Sequence, residues 1–228
     1  MTCPHRRLRS SISGYLLVVA TLLVGGPSIL LAGEPSSIDS RMQKFIAAGE
    51  ISGAVTLVRH RGKVVHLAAV GNADVDKKAS MKADSIFAIA SMTKPITATG
   101  ILILQDAGKL SVDDPVSKYL SEFASVKLKN ASPKRPITIR DLMTHTSGIG
   151  GGQQNQGSLK RTVALLAKQP MRFQPGAKWQ YSPGMTVCGR IIEVVSGQPY
   201  DAFLKKHIFQ PLKMVDTTFH PNASQQKR

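Results

Sequence analysis

The chain has 228 residues, which is enough for one large domain or two small ones with a buried core. With 42% hydrophobic and 19% charged residues, it is not an intrinsically disordered protein. A net charge of +16 invites a nucleic-acid interpretation, whereas two cysteines and six scattered histidines give no disulfide framework and no spacing typical of zinc sites.

Residues 1–32 have the layout of a secretory signal peptide. A start with three arginines precedes an apolar run from Tyr15 to Val24, a Gly-Gly-Pro break and a second apolar run that ends at Ala32. The alternative is an uncleaved membrane anchor, because the stretch from Tyr15 to Ala32 is just long enough to span a bilayer. We expect export to the bacterial periplasm or the extracellular space, and a mature domain over residues 33–228.

The basic residues of the mature chain are scattered in small groups beside turn-forming residues, which indicates a solvated surface. No aromatic residues are interleaved with them as stacking platforms, so the sequence predicts no nucleic-acid partner. Attraction to an anionic cell envelope is the expectation that this charge supports. The groups are Arg59/Arg61/Lys63, Lys77/Lys78, Lys127/Lys129, Lys134/Arg135, Lys160/Arg161 and Lys205/Lys206.

The first part of the mature chain predicts a helix and a hairpin. Apolar residues recur at helical spacing over Ser37–Ala48. The β-branched-rich runs Gly53–Arg59 and Lys63–Val70 flank an Arg-Gly turn and predict two paired strands. A polar stretch, Asn72 to Lys82, follows them.

The remaining pattern is mainly helical. An apolar strand over Ser85–Ala90 is expected to lead into Ser91, and a long buried helix from Ser91 to Ala107 ends before Gly108. Further helices are predicted at Ile137–Met143, Leu159–Lys168, Gly184–Ser196 and Tyr200–Phe209, with a glycine-rich loop at Gly148, Gly150, Gly151, Gly152 and Gly157 and a polar tail, Asn222–Arg228. One hairpin forms only a marginal sheet, so we expect the sheet to be incomplete in this chain.

Ser91 and Lys94 are the first candidate site residues. Positions i and i+3 of a helix share a face, so the Lys94 amine can approach the Ser91 hydroxyl. A serine hydroxyl needs a nearby base, and an amine can serve when burial or a neighbouring charge favours its neutral form. The alternative is a helix-capping serine beside a solvated lysine, but the apolar flanks of Lys94 argue against solvation.

Tyr181, in Trp179-Gln-Tyr-Ser-Pro-Gly184, is the third candidate. A phenol near a lysine can pass a proton to a leaving group. Taken alone, this residue is better explained as an ordinary half-buried tyrosine.

Together these stretches resemble the serine β-lactamase-related family, which includes class C β-lactamases, D-alanyl-D-alanine carboxypeptidases and related esterases. The resemblance extends in order from about Ile38 to Phe219. The matching stretches are Phe87-Ala-Ile-Ala-Ser-Met-Thr-Lys94, His145-Thr-Ser-Gly-Ile149, Phe173-Gln-Pro-Gly176, Trp179-Gln-Tyr-Ser182, Gly189-Arg-Ile-Ile-Glu-Val-Val-Ser-Gly197 and Pro211-Leu-Lys-Met-Val-Asp-Thr-Thr-Phe219.

The resemblance implies an α/β fold of the β-lactamase/transpeptidase type, with an antiparallel sheet flanked by helices and an all-helical region that holds Tyr181. It implies that Ser91 is acylated, that Lys94 is its base and that Tyr181 shuttles a proton to the leaving group, with no cofactor and no metal. His145 is expected to belong to a structural loop near the cleft. Ser147 is no nucleophile elbow, because His145 and Ile149 occupy the places where G-x-S-x-G has glycines.

Two departures from the family pattern bear on substrate. Pro183 replaces the asparagine of Tyr-x-Asn, which shifts the expectation from lactams and peptides toward esters. The family's Lys/His-Thr/Ser-Gly strand does not follow Tyr181, so a second oxyanion-hole donor is missing from this sequence. We therefore expect a small-molecule acyl substrate and a chain that is the amino-terminal part of a serine hydrolase. The alternative is a catalytically inactive remnant or an envelope peptide-binding module.

Overall fold

The structure is a computed structural model that describes residues 37–151 and 157–228. The predicted signal peptide at residues 1–32 and Gly152 of the predicted glycine-rich loop lie outside the described residues. The described residues fall into two compact units, divided after Met81, and each unit is described by itself.

Over residues 37–81, the first unit has one helix and a three-stranded antiparallel sheet in the order β1-β2-β3. It confirms the predicted helix and hairpin. It also adds a short third strand within the polar stretch, where the sequence predicts none, because β2 continues past Val70 and pairs with it. The elements are α1 Ser37–Ala47, β1 Gly53–His60, β2 Lys63–Asp74 and β3 Ala79–Ser80.

The hairpin turns at Arg61 and Gly62, which both adopt left-handed backbone conformations with φ of 47° and 78°. Two consecutive residues of positive φ make a tight turn whose twist matches that of the flanking strands. The Arg59 guanidinium donates two hydrogen bonds to the Gly62 carbonyl, at 3.1 and 2.9 Å. A register shift between Val58 and Arg59 follows the turn, and beyond it Leu57 lies opposite Leu67.

The second unit is helical and has its core around one central helix. Helix α5 packs against α2, α3, α4 and α6, and its Val187, Cys188, Ile191 and Ile192 are completely buried. Burial raises the pKa of the Cys188 thiol to about 12, so this side chain is not a nucleophile near neutral pH. The helices are α2 Thr93–Asp106, α3 Ile139–Met143, α4 Leu159–Ala167, α5 Gly184–Ser196 and α6 Tyr200–Leu204, with a π-helical turn at Lys205–Phe209 and 3-10 turns at Ala90–Met92, Val116–Lys118, Ser121–Ser125 and Gln225–Lys227.

The prediction of an apolar strand leading into Ser91 is wrong. Residues 85–89 have no regular secondary structure. The Ile86 N–H donates to the Arg228 carbonyl at 3.1 Å. Arg228 therefore supplies the acceptor that a neighbouring strand would supply if residues 85–89 formed a strand. Arg228 also forms ion pairs with Asp84 and Asp216, which anchors the stretch predicted as a polar tail.

Helix α3 begins with a capping box that centres on a buried carboxylate. Asp141 is 5% exposed. It accepts two bonds from the Arg135 guanidinium, at 2.6 and 2.9 Å, and one from the Thr138 N–H at 2.9 Å. The Thr138 hydroxyl accepts from the Asp141 N–H in return. Burial opposes ionisation of Asp141, but its bonds from Arg135 and Thr138 prevail and lower the pKa of this carboxyl below 3.8.

We expect Asp141→Asn in the full-length protein to lower the free energy of unfolding by about 2 kcal/mol at about pH 7, because charge-assisted bonds to a buried group are lost. Since the folded pKa lies below the unfolded value, this stabilisation is complete above pH 3.8 and disappears as pH falls through the folded pKa. Urea unfolding at several pH values measures the difference.

Asp113→Asn is the matched control for Asp141→Asn. Asp113 also pairs with an arginine in bidentate fashion, but both its side chain and that of Arg140 are more than half exposed. Exposed ion pairs contribute little to stability, so this variant should unfold close to wild type. Equal losses in the two variants would contradict the structural role given to Asp141.

Candidate active site

Ser91 lies in the 3-10 turn that leads directly into α2, as the sequence predicts for a serine at a helix start. Ala90, just before it, has φ of 43°, an unfavourable conformation for a residue with a Cβ. The turn is closed by a 2.9 Å bond from the Met92 N–H to the Ile89 carbonyl. Ser91 is exposed, and it stands at the helix end where backbone dipoles favour negative charge.

Lys94 lies in the first turn of α2 and points at Ser91. Its Nζ donates to the Ser91 Oγ at 3.0 Å. The residue is half-buried, in agreement with the prediction that its apolar flanks shield it from full solvation. The i, i+3 spacing of Ser91 and Lys94 therefore brings the amine into contact with the hydroxyl, as the sequence predicts.

Tyr181 lies on residues 178–182, which have no regular secondary structure and precede α5. Its Oη is 2.6 Å from the Ser91 Oγ, and its ring centroid is 4.6 Å from the Lys94 Nζ. The adjacent Lys94 amine and the bond with Ser91 lower the pKa of the Tyr181 phenol. The structure thus brings all three predicted site residues together.

The geometry gives the Ser91 hydroxyl two polar partners, an amine and a phenol. With an ammonium donating to its Oγ, Ser91 can donate its own proton to Tyr181. With a neutral amine, Ser91 can donate to Lys94 instead. A hydroxyl that can lose its proton to a neighbouring base is an activated nucleophile, and the phenol can relay a proton to a leaving group. Ser91 and Tyr181 are both exposed, so a substrate can reach them.

Other serines near these residues are unsuitable nucleophiles. Ser147 is completely buried, and its Oγ accepts a bond from the Ile149 N–H at 3.3 Å. Ser182 is 8% exposed, and its hydroxyl is used by the Gly184 N–H and by the His145 ring. The burial of Ser147 agrees with the prediction from the sequence that it is not the nucleophile.

His145 lies against the site more closely than the sequence indicates. Its ring centroid is 4.7 Å from that of Tyr181, with an angle of 30° between the planes. His145 and Tyr181 are 36 positions apart, on two segments that share no periodic pattern. The His-Thr-Ser-Gly motif is therefore the one feature of the sequence that could have indicated a role for His145 at the site.

Pro183 is the residue before α5, and it offers no N–H and no side-chain acceptor to a substrate. Its carbonyl accepts from the Thr186 N–H at 2.9 Å within the first turn of the helix. The position that carries asparagine in the resembled family therefore presents a hydrocarbon ring beside Ser182 and Tyr181.

Across residues 37–151 and 157–228, no three His, Cys, Asp or Glu side chains converge in a way that would hold a metal ion. Among those same residues, no helix combines the length and apolarity that crossing a bilayer requires. A surface groove of about 590 Å³ lies between residues 122–129 and 164–170, and none of the three site residues lines it.

The sequence profile of the family described as Beta-lactamase matches residues 38–228, which is most of the chain. The chain belongs to the β-lactamase family. Its fold is the β-lactamase/transpeptidase fold, with an antiparallel sheet and helices, as predicted.

Named relatives of this β-lactamase-family chain include esterases and penicillin-binding protein homologues. Esterase EstB of Burkholderia gladioli is 32% identical over 84% of this chain and 53% of its own length. The solved structure of EstCE1, a hydrolase with promiscuous acyltransferase activity, is 28% identical with a TM-score of 0.72, over 77% of this chain and 50% of that one. The octameric penicillin-binding protein homologue from Pyrococcus abyssi is 27% identical with a TM-score of 0.70, over 84% and 45%. The chain spans about half the length of the curated relatives it matches.

Proposed function

We propose that this protein is an exported serine hydrolase that works through an acyl-enzyme on Ser91 and prefers ester substrates. The observation that carries the proposal is the position of the Ser91 Oγ, 3.0 Å from the Lys94 Nζ and 2.6 Å from the Tyr181 Oη. Family membership supports the hydrolase class, and the esterases among the relatives support the substrate class.

The acylation half-reaction follows from this geometry. The Ser91 Oγ attacks the ester carbonyl carbon while neutral Lys94 accepts the hydroxyl proton, and the carbonyl oxygen becomes an oxyanion near the start of α2. When the intermediate collapses, the bond to the leaving alkoxide breaks. Tyr181 donates a proton to that alkoxide and regains one from Lys94, which returns the amine to its neutral form.

Water completes the cycle by the reverse proton path. A water molecule attacks the acyl carbon, and Tyr181 accepts the water proton while it passes its own proton to Lys94. The bond to the Ser91 Oγ then breaks, Ser91 takes the proton back from Lys94, and the carboxylic acid leaves. Each step uses groups that lie within hydrogen-bond distance of the Ser91 hydroxyl.

The preference for esters rests on Pro183. An amide or lactam substrate brings a polar group that must be matched in the cleft, and an unmatched buried group costs about 1–3 kcal/mol, or roughly 5- to 150-fold in rate. A proline side chain offers no such match. Esters have better leaving groups and depend less on this contact, so they tolerate the proline.

A substrate panel tests the proposal. We expect the full-length protein to hydrolyse short-chain p-nitrophenyl esters with a higher kcat/KM than nitrocefin or a D-alanyl-D-alanine peptide. Pro183→Asn should raise the nitrocefin-to-ester ratio of kcat/KM by about tenfold, because it restores an amide beside the substrate.

Pro199→Asn is the matched control, since Pro199 also precedes a helix, α6, but lies outside the Ser91 contacts. It should leave the ratio of kcat/KM values unchanged. Absence of ester hydrolysis would refute the proposed activity. Nitrocefin turnover as efficient as ester turnover in the wild-type protein would show that Pro183 does not set the preference.

The scattered basic groups of the chain support one further part of this proposal, the place where the enzyme works. With residues 1–32 as an export signal, a net positive surface would hold the enzyme near an anionic cell envelope.

A further inference from the structure

His145 adopts a backbone conformation that needs support. Its φ of 60° lies in the left-handed region, which histidine enters uncommonly. The turn that holds it follows α3 and is tied down on both sides: the Thr146 N–H donates to the Asp141 carbonyl at 2.9 Å, and the Thr144 N–H donates to the Arg140 carbonyl at 2.9 Å. Such conformations persist where the surrounding structure determines them, and they cluster at functional sites.

His145 holds the backbone on both sides of Tyr181. Its carbonyl accepts from the Gln180 N–H at 2.9 Å. Its Nδ1 accepts from the Ser182 N–H at 3.2 Å and lies 3.3 Å from the Ser182 Oγ. Its ring packs on the ring of Tyr181, and its edge meets Trp179 with 6.1 Å between centroids. One residue therefore contacts four consecutive residues of the opposite segment.

The segment needs such a support because it has none of its own. Residues 178–182 form neither helix nor strand, yet the Tyr181 Oη must stay within hydrogen-bond distance of the Ser91 Oγ. We propose that His145 is a positioning residue that fixes the Tyr181 phenol against Ser91. The effect of His145 on the acylation rate rests on the proposed acyl-enzyme mechanism. Its effect on the position and pKa of Tyr181 does not.

The contact defines a protonation state for His145. An Nδ1 that accepts from a backbone N–H belongs to a neutral imidazole with its proton on Nε2. Burial, followed by the positive charge of Lys94, lowers the pKa of His145 and favours this form. The groups around the ring are the Tyr181 phenol in contact with it and Lys94 from α2, while the Asp141 carboxylate on α3 is paired with Arg135. Among the described residues, the imidazole hydrogen-bonds to Ser182 and not to the reacting hydroxyls.

Two variants distinguish the contribution of the His145 side chain from that of its left-handed backbone conformation. Glycine and asparagine both tolerate a left-handed conformation, so neither adds strain at this position. His145→Gly removes the acceptor and the ring, whereas His145→Asn keeps an acceptor oxygen near the place of Nδ1. Thr144→Ala is the control on the same turn, because Thr144 bonds to Arg140 and Thr146 and not to residues 179–182.

Two measurements on the full-length protein follow the variants. One is the pKa of the Tyr181 phenol, from NMR titration of 13C-labelled tyrosine with the resonance assigned by Tyr181→Phe. The other is the rate of acylation by a fluorophosphonate. We expect His145→Gly to raise the pKa of Tyr181 toward its ordinary value, as contact with Lys94 and Ser91 loosens, and to slow acylation about tenfold. His145→Asn should recover most of both effects, and Thr144→Ala should match wild type.

The outcomes are distinguishable. If His145→Gly folds and leaves the pKa of Tyr181 unchanged, the inference is wrong. It is also wrong if the Gly, Asn and Ala variants lose acylation in proportion to their melting temperatures, since that pattern indicates a structural role only. A wild-type protein that is not labelled at Ser91 contradicts the proposed function, yet the pKa of Tyr181 in the two His145 variants still decides the positioning role.

Discussion

Ser91→Ala is expected to lower kcat/KM for a p-nitrophenyl ester by at least about 10⁴-fold and to abolish covalent labelling by a fluorophosphonate. The variant leaves Lys94 and Tyr181 in place but removes the oxygen that lies between them. Since no acyl-enzyme can form, the residual rate reflects binding and electrostatic effects alone. Intact mass spectrometry and steady-state kinetics measure the two losses in the same preparation.

Peptide mapping of the wild-type adduct supplies the complementary result. The label is expected on the peptide that contains Ser91, and Ser147→Ala should retain it because Ser147 is completely buried. An adduct on Ser147 or Ser182, or a Ser91→Ala variant that is still labelled, would overturn the assignment of the nucleophile.

Lys94→Met is expected to lower the acylation rate by about 10²–10⁴-fold, the range typical of a removed general base. Methionine has a similar length but cannot accept the Ser91 proton. Lys94→Arg tests whether Lys94 acts as a base or only through its positive charge. A guanidinium keeps the positive charge and does not release a proton in proteins, so it cannot act as a base. Both variants should therefore be slow, and stopped-flow release of p-nitrophenol measures the acylation step.

Lys109→Met controls for the loss of a lysine in the same unit, since Lys109 is exposed and lies beyond the other end of α2. It should acylate at the wild-type rate. An Lys94→Arg variant with near-normal acylation would show that the charge of Lys94 matters rather than its basicity. In that case the base would have to be Tyr181.

The sequence predicts the local structure well where one periodicity dominates. Helix α5 has the predicted bounds, and the hairpin turns where two residues of positive φ are needed. The pair Ser91 and Lys94 is also local, because a single helical turn brings these residues together. The expected strand over Ser85–Ala90 fails for a tertiary reason: the Ile86 N–H bonds to the Arg228 carbonyl, and no strand of the described residues pairs with this segment.

The rest of the site depends on contacts that no local pattern encodes. Tyr181 is 90 residues from Ser91, so its assignment comes from the family resemblance and not from spacing. The contact of His145 with Tyr181 depends on a left-handed turn after α3 and on an irregular segment before α5. Propensity and periodicity carry no information about which two loops meet, because packing of the helices decides it.

The close approach of α5 to α3 limits which substitutions this protein can accept near the site. A Cβ at Gly184 would lie 2.5 Å from the Leu142 carbonyl oxygen, so any side chain there would push the two helices apart. Those helices carry Tyr181 just before α5 and His145 just after α3. Mutant libraries aimed at new substrates should therefore leave Gly184 fixed, because one methyl group there would disturb both loops of the site.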